Sequence, residues 1–76
     1  MSQAEQILAA LGGAENVADV QPCVTRVRAR VVDPTAVDEA ALTDAGAVSV
    51  ITQGDVVHVV VGATSAALSD DIEDLM

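Results

Sequence analysis

The sequence predicts an α+β sandwich: a four-stranded, mainly antiparallel sheet with three helices on one face, in the order α-β-β-α-β-β-α. Three observations predict it. Apolar residues recur at helical spacing near both ends and once in the middle. Between these segments lie β-branched runs that group in pairs. The connections are short, and no repeat or linker interrupts them, so the elements must pack as layers around one core.

The first helix is read from "SQAEQILAALGG". Ser2 and Glu5 have capping-box spacing, Ala4, Ile7, Leu8 and Leu11 share a face, and Gly12 and Gly13 stop the helix. "NVADVQP" alternates weakly and ends at Pro22, which favours extended chain and a turn. In "CVTRVRARVV", Val27, Ala29 and Val31 have one parity and Arg26, Arg28 and Arg30 the other, so a strand sends the arginines to the face opposite the core. "DPTAVDEAALTDAG" reads as a turn, a short helix and a stop at Gly46. "AVSVIT" and "VVHVVVG", joined by "QGD", read as a hairpin. In "TSAALSDDIEDLM", Leu68, Ile72, Leu75 and Met76 form the predicted apolar stripe of a closing helix, with Asp70, Asp71, Glu73 and Asp74 on its solvated side. Both parities of "VVHVVVG" are apolar except at His58, which predicts a partly hydrophobic open sheet face suited to a partner.

With 76 residues the chain is expected to form a single domain, 1–76, with a modest core. That core must be aliphatic, because the chain has no aromatic residue. One cysteine cannot close an internal disulfide, and one cysteine with one histidine cannot supply a four-ligand zinc site, so neither a metal nor a cofactor is expected. A free thiol, an N-terminus without a basic-then-apolar signal, and no apolar run of ~20 residues together predict a cytoplasmic protein. A net charge of −9 argues against nucleic acid and anionic lipid as partners, and the protein is expected to be a monomer.

Charge distribution is the most informative feature. The only basic residues besides His58 are Arg26, Arg28 and Arg30, and all three follow closely on the single cysteine, Cys23. A thiolate is the reactive form of cysteine, and neighbouring cations favour it. Arginines two apart on a strand point the same way roughly 7 Å apart, and their planar guanidinium forks match phosphate oxygens. A soft nucleophile beside anion receptors describes a phosphoryl acceptor. A single cysteine in a small domain is more often a buried hydrophobe beside an ordinary solvated face, but the gathering of every fixed positive charge at this one favours a site. Other thiol chemistries fit worse. The sixth residue after Cys23 is Ala29, where a tyrosine-phosphatase-type loop needs arginine, and no second cysteine is present for dithiol exchange. His58 is the one candidate base, and nothing in the sequence ties it to Cys23, so it is read as a spectator.

The stretch "CVTRVR" resembles the phosphorylation motif C-[IV]-T-R-L-R of enzyme IIB from the glucose family of the bacterial sugar phosphotransferase system. "ILAALGGAENV" is similar to that family's opening helix and its Gly-Gly-x-x-Asn turn, "VDEAALTDAGAVSVI" to its central helix and strand, and "VVHVVVGATSAALSDDIEDL" to its last strand, loop and closing helix. The resemblance thus spans the chain. It implies a split α/β sandwich and a phosphocarrier that accepts a phosphoryl group from phosphohistidine on a IIA partner. The carrier then donates it to a sugar, glucose or N-acetylglucosamine, transported by the membrane-embedded IIC partner, which would hold the protein at the inner face of the membrane. Cys23 matches the phosphorylated cysteine, Arg26 and Arg28 the two catalytic arginines, and Val24, Thr25, Arg26 and Arg28 the phosphate-binding set. Arg30 lies outside the motif. Pro22 before the cysteine and Ala63 after Gly62 depart from the family pattern. Two other functions compete: a non-catalytic module of the same fold that docks an anionic partner, and a thiol redox sensor.

Overall fold

Two hairpins and three helices make up the protein, and the computed structural model describes residues 2–76. The helices are α1 (Gln3–Ala10), α2 (Glu39–Asp44) and α3 (Ser65–Leu75). The strands are β1 (Val17–Cys23), β2 (Arg26–Val31), β3 (Ser49–Gln53) and β4 (Val56–Val60). The sheet order is β1-β2-β4-β3, and every neighbouring pair is antiparallel. Two short 3₁₀ turns, Ala14–Asn16 and Pro34–Ala36, were not foreseen in the sequence; each links a helix to a strand or the reverse.

Helix ends follow the side chains that the sequence places there. Ser2 and Glu5 form the reciprocal capping box, each side chain bonding the other's backbone N–H. The Ser2 backbone N–H holds the Glu5 carboxyl below its ordinary range. Because that value is depressed, the cap's contribution is present at neutral pH and lost as pH falls through it. Both α1 and α2 end in Schellman motifs: Gly13 N–H donates to Leu8 O and Gly12 N–H to Ala9 O, and Ala47 N–H donates to Leu42 O and Gly46 N–H to Thr43 O. Gly12 (φ +106°) and Gly46 (φ +110°) supply the left-handed backbone these motifs require.

The weak alternation of "NVADVQP" has a structural cause. A bulge lies between Val17 and Asp19, pairing Val17 with Val31 and Asp19 with Arg30. Val17 and Val20, three residues apart, therefore both face the helices, and both are buried. β2 keeps strict alternation: Val27, Ala29 and Val31 are buried, Arg28 and Arg30 exposed, and Arg26 half-buried. In α1 the expected residues Ala4, Ile7, Leu8 and Leu11 are all buried. The closing helix departs from expectation. Leu68 and Ile72 are buried, but Leu75 and Met76, at the C-terminal end of the helix, remain exposed, Leu75 sharing a surface depression with Glu5, Leu8 and Ala9 of α1. The apolar core that results is aliphatic, with Ile7, Leu11, Leu42, Ile72, Val27, Val57 and Val59 at its centre and the Ser69 side chain fully buried among the described residues.

One buried polar residue ties the layers together. The Asn16 amide donates to Leu11 O (2.7 Å) and Asp33 O (3.0 Å), and its Oδ1 accepts from the Asp33 N–H (2.8 Å). It thereby joins the end of α1 to the loop after β2. Asn16→Ala leaves these buried groups unpaired and is expected to lower the unfolding free energy by roughly 2–4 kcal/mol, measured by urea denaturation.

Candidate functional site

Strand register places the sequence's chemistry on the sheet face away from the helices. Direct cross-strand partners share a face, so three rows of open-face residues follow. Cys23, Arg26, Val60 and Ser49 form the first; Gln21, Arg28, His58 and Ile51 the second; and Asp19, Arg30, Val56 and Gln53 the third. All three arginines stand in one file down β2, and Asp19 is the only carboxylate among the paired positions on this face. The solvated acids of α3 lie on the other layer. None of the three guanidinium groups is engaged in an ion pair or hydrogen bond among the described residues. The face therefore carries unneutralised positive charge on a chain whose net charge is −9.

Cys23 is the last residue of β1, exposed, and directly opposite Arg26. The sequence reading put it at a turn before the arginine strand; the turn proper is Val24 and Thr25, which close a two-residue hairpin between β1 and β2. Val24 is 94% exposed, with φ +20°. Among non-glycine residues it alone has a positive φ among the described residues. A positive φ at only the first central residue is the pattern of a II′ turn, a position that glycine normally fills. A β-branched side chain there costs of order 1–3 kcal/mol, and the conformation persists only where the surroundings hold it.

Those surroundings are the segment between β4 and α3. Thr25 O accepts from both the Val61 N–H (3.0 Å) and the Gly62 N–H (2.8 Å), and Val24 O accepts from the Ser65 hydroxyl (3.1 Å). Sequence reasoning missed Ser65. The only signal was a small hydroxyl residue opening α3 just after the glycine loop, and no local pattern pairs it with a turn 41 residues away.

Arg28 and Arg30, with Asp19, Gln21 and Val56, line a shallow depression of about 180 Å³ two rows deep from the thiol. His58 stands opposite Arg28 on the open face, half-buried, with an Nδ1 that has no partner among the described residues. The expected hydrophobic share of this face is supplied by half-buried Val56 and Val60 and by Ile51, 40% exposed. No group of three His, Cys, Asp or Glu residues able to hold a metal ion occurs among the described residues.

The family described as phosphotransferase system, EIIB, matches residues 5–38. Over 75 residues the chain is 44% identical to the PTS system N-acetylglucosamine-specific EIIB component of Streptomyces coelicolor, covering 99% of this chain and 97% of that protein. The chain belongs to the EIIB family of the phosphotransferase system. It is also 39% identical over 70 residues to the PTS system glucosamine-specific EIICBA component of Bacillus subtilis, in which the matched part, 92% of this chain, is 11% of a longer protein. The crystal structure of one domain of the PTS system IIabc component from Clostridium difficile shares the fold, with a TM-score of 0.82 at 16% identity, covering 97% of this chain and 78% of that one. As an EIIB of the glucose and N-acetylglucosamine type, the protein is a phosphocarrier that works through a phosphocysteine intermediate and acts with other components of the system. None of its described helices is long and apolar enough to cross a membrane.

Proposed function

We propose that Cys23 carries the phosphoryl group, that Arg26 and Arg28 handle it with help from the Val24–Thr25 turn, and that the sugar it reaches is N-acetylglucosamine. The carrying observation is the first row of the open face: the chain's only thiol stands exposed and directly opposite Arg26, with Arg28 next along the same strand. In the first step the Cys23 thiolate attacks the phosphorus of a phosphohistidine on a IIA partner. The S–P bond forms, the P–N bond breaks, and the imidazole leaves and takes up a proton. In the second step the oxygen of a sugar hydroxyl attacks the same phosphorus. The O–P bond forms, the S–P bond breaks, and the thiolate is restored while the hydroxyl proton is lost to a base outside this chain. Guanidinium groups beside the sulfur stabilise the three equatorial oxygens in both transfers.

The choice of sugar rests on the full-length similarity to an N-acetylglucosamine-specific EIIB. A IIC permease would present that sugar, and docking to it would bring this protein to the membrane. The test is incubation with a phosphorylated IIA and mass measurement. Gain of one phosphate on Cys23, followed by its loss to N-acetylglucosamine when IIC-bearing membranes are added, is the expected result. A protein that gains no mass is a binding module, and one that delivers to glucose but not to N-acetylglucosamine has a different sugar.

A further inference from the structure

We propose that Ser65 is a positioning residue for phosphoryl transfer: its hydroxyl holds the Val24–Thr25 peptide so that the Thr25 N–H faces the side of the sheet on which Cys23 stands. The inference rests on the assignment of the phosphoryl group to Cys23.

The geometry is as follows. Ser65 is 2% exposed at the start of α3, on the helix layer, and its hydroxyl donates to Val24 O. Val24 O and the Thr25 N–H belong to one peptide unit, and no peptide bond among the described residues is cis. In a trans peptide the N–H points opposite to the carbonyl. A carbonyl tied toward the helix layer therefore aims the Thr25 N–H at the open face, where the register puts Cys23 and Arg26. That N–H has no acceptor among the described residues. A donor left free in the two-residue turn between the nucleophilic cysteine and Arg26 is placed for a phosphate oxygen.

Thr25 O is fixed separately, by Val61 and Gly62, as a continuation of the β2–β4 ladder. Among the described residues, only the Ser65 hydroxyl holds the central peptide of the turn. Val24 occupies a backbone region that a β-branched residue does not choose, so without that hydroxyl the turn is free to relax and the N–H to turn away.

The experiment measures phosphoryl acceptance from a phosphorylated IIA, together with the ¹⁵N–¹H spectrum, in wild type, Ser65→Ala, Val24→Gly and the double variant. In wild type, phosphorylation of Cys23 is expected to move the Thr25 amide proton strongly downfield. In Ser65→Ala the acceptance rate is expected to fall about five- to tenfold, the worth of one positioning hydrogen bond, and the downfield move to be lost while thermal unfolding remains cooperative. Glycine at position 24 favours the II′ turn unaided, so the rate ratio of Val24→Gly to the double variant is expected to be well below that of wild type to Ser65→Ala. Equal ratios, an unchanged Ser65→Ala rate, or a Thr25 amide that does not move in phosphorylated wild type each overturn the proposal. Should Ser65→Ala fail to fold, the wild-type Thr25 amide decides alone. A wild type that takes up no phosphate overturns the Cys23 assignment instead.

Discussion

Cys23→Ser is expected to fold as the parent does and to take up no detectable phosphate from a phosphorylated IIA. The side chain is exposed at a strand end and makes no hydrogen bond among the described residues, while the backbone pairing with Arg26 is untouched by the substitution, so the stability change should stay within about 0.5 kcal/mol. Chemistry is where the substitution acts. A serine hydroxyl needs a base to become a nucleophile, whereas a thiol is intrinsically far more nucleophilic. The nearest ring that could serve is His58, and the register shows it cannot. His58 lies on β4, with β2 between it and Cys23, and one row further down the face. At ~4.8 Å between strands and ~3.3 Å per residue, the two Cα atoms are roughly 12 Å apart. Asp19, the one carboxylate of the face, is four residues from Cys23 along the same strand. Serine at 23 would therefore sit among cations with no proton acceptor in reach. Label transfer followed by mass spectrometry checks this; serine uptake at the cysteine's rate would remove phosphocysteine from the mechanism.

What could be read in advance depended on how local the determinant was. The arginine face of β2 was legible because strand parity is a two-residue rule, and Val27, Ala29 and Val31 obey it without exception. The α1 cap was legible because Ser2 and Glu5 lie within one turn. β1 was harder, since the bulge between Val17 and Asp19 breaks the alternation that identifies a strand. At the end of α3, Leu75 and Met76 fit the helical stripe, yet a stripe says nothing of what packs against its last turn, and both remain exposed. The site divided in the same way. Charge segregation within a few residues marked Cys23 with Arg26, Arg28 and Arg30 as a candidate site, and the family resemblance chose Arg26 and Arg28 among the three. The bond from Ser65 to Val24 is a tertiary contact with no local pattern, and the positive φ of a valine contradicts what its side chain prefers.

Arg26→Lys and Arg28→Lys are expected to keep much of the acceptance from IIA and to lose most of the delivery to sugar, with a loss on the order of 10²-fold in the second step. Lysine preserves the charge and discards the planar fork. Acceptance begins from phosphohistidine, a reactive donor, and the attacking thiolate is a strong nucleophile; a point charge near the phosphoryl oxygens serves that step. Delivery asks a sugar hydroxyl, a weak nucleophile, to attack in line, so the phosphoryl group must be held in one orientation. The register sets the three arginines at different distances from the thiol. Arg26 is directly opposite Cys23, Arg28 is one row away, at ~7 Å along the strand, and Arg30 is two rows away, at ~13 Å. Arg30 also faces Asp19 across the strands and shares the depression with Arg28. Arg30→Lys is accordingly expected to be nearly silent in both steps. Paired assays, phosphoprotein formation with IIA and sugar phosphate production with IIC-bearing membranes, separate the two transfers for each variant. Equal losses in both steps would mean that the guanidinium forks act on the thiol and not on the geometry of delivery. A defect at Arg30 as large as at Arg28 would mean that the whole arginine file, and not its upper end, meets the phosphoryl group or the partner that receives it.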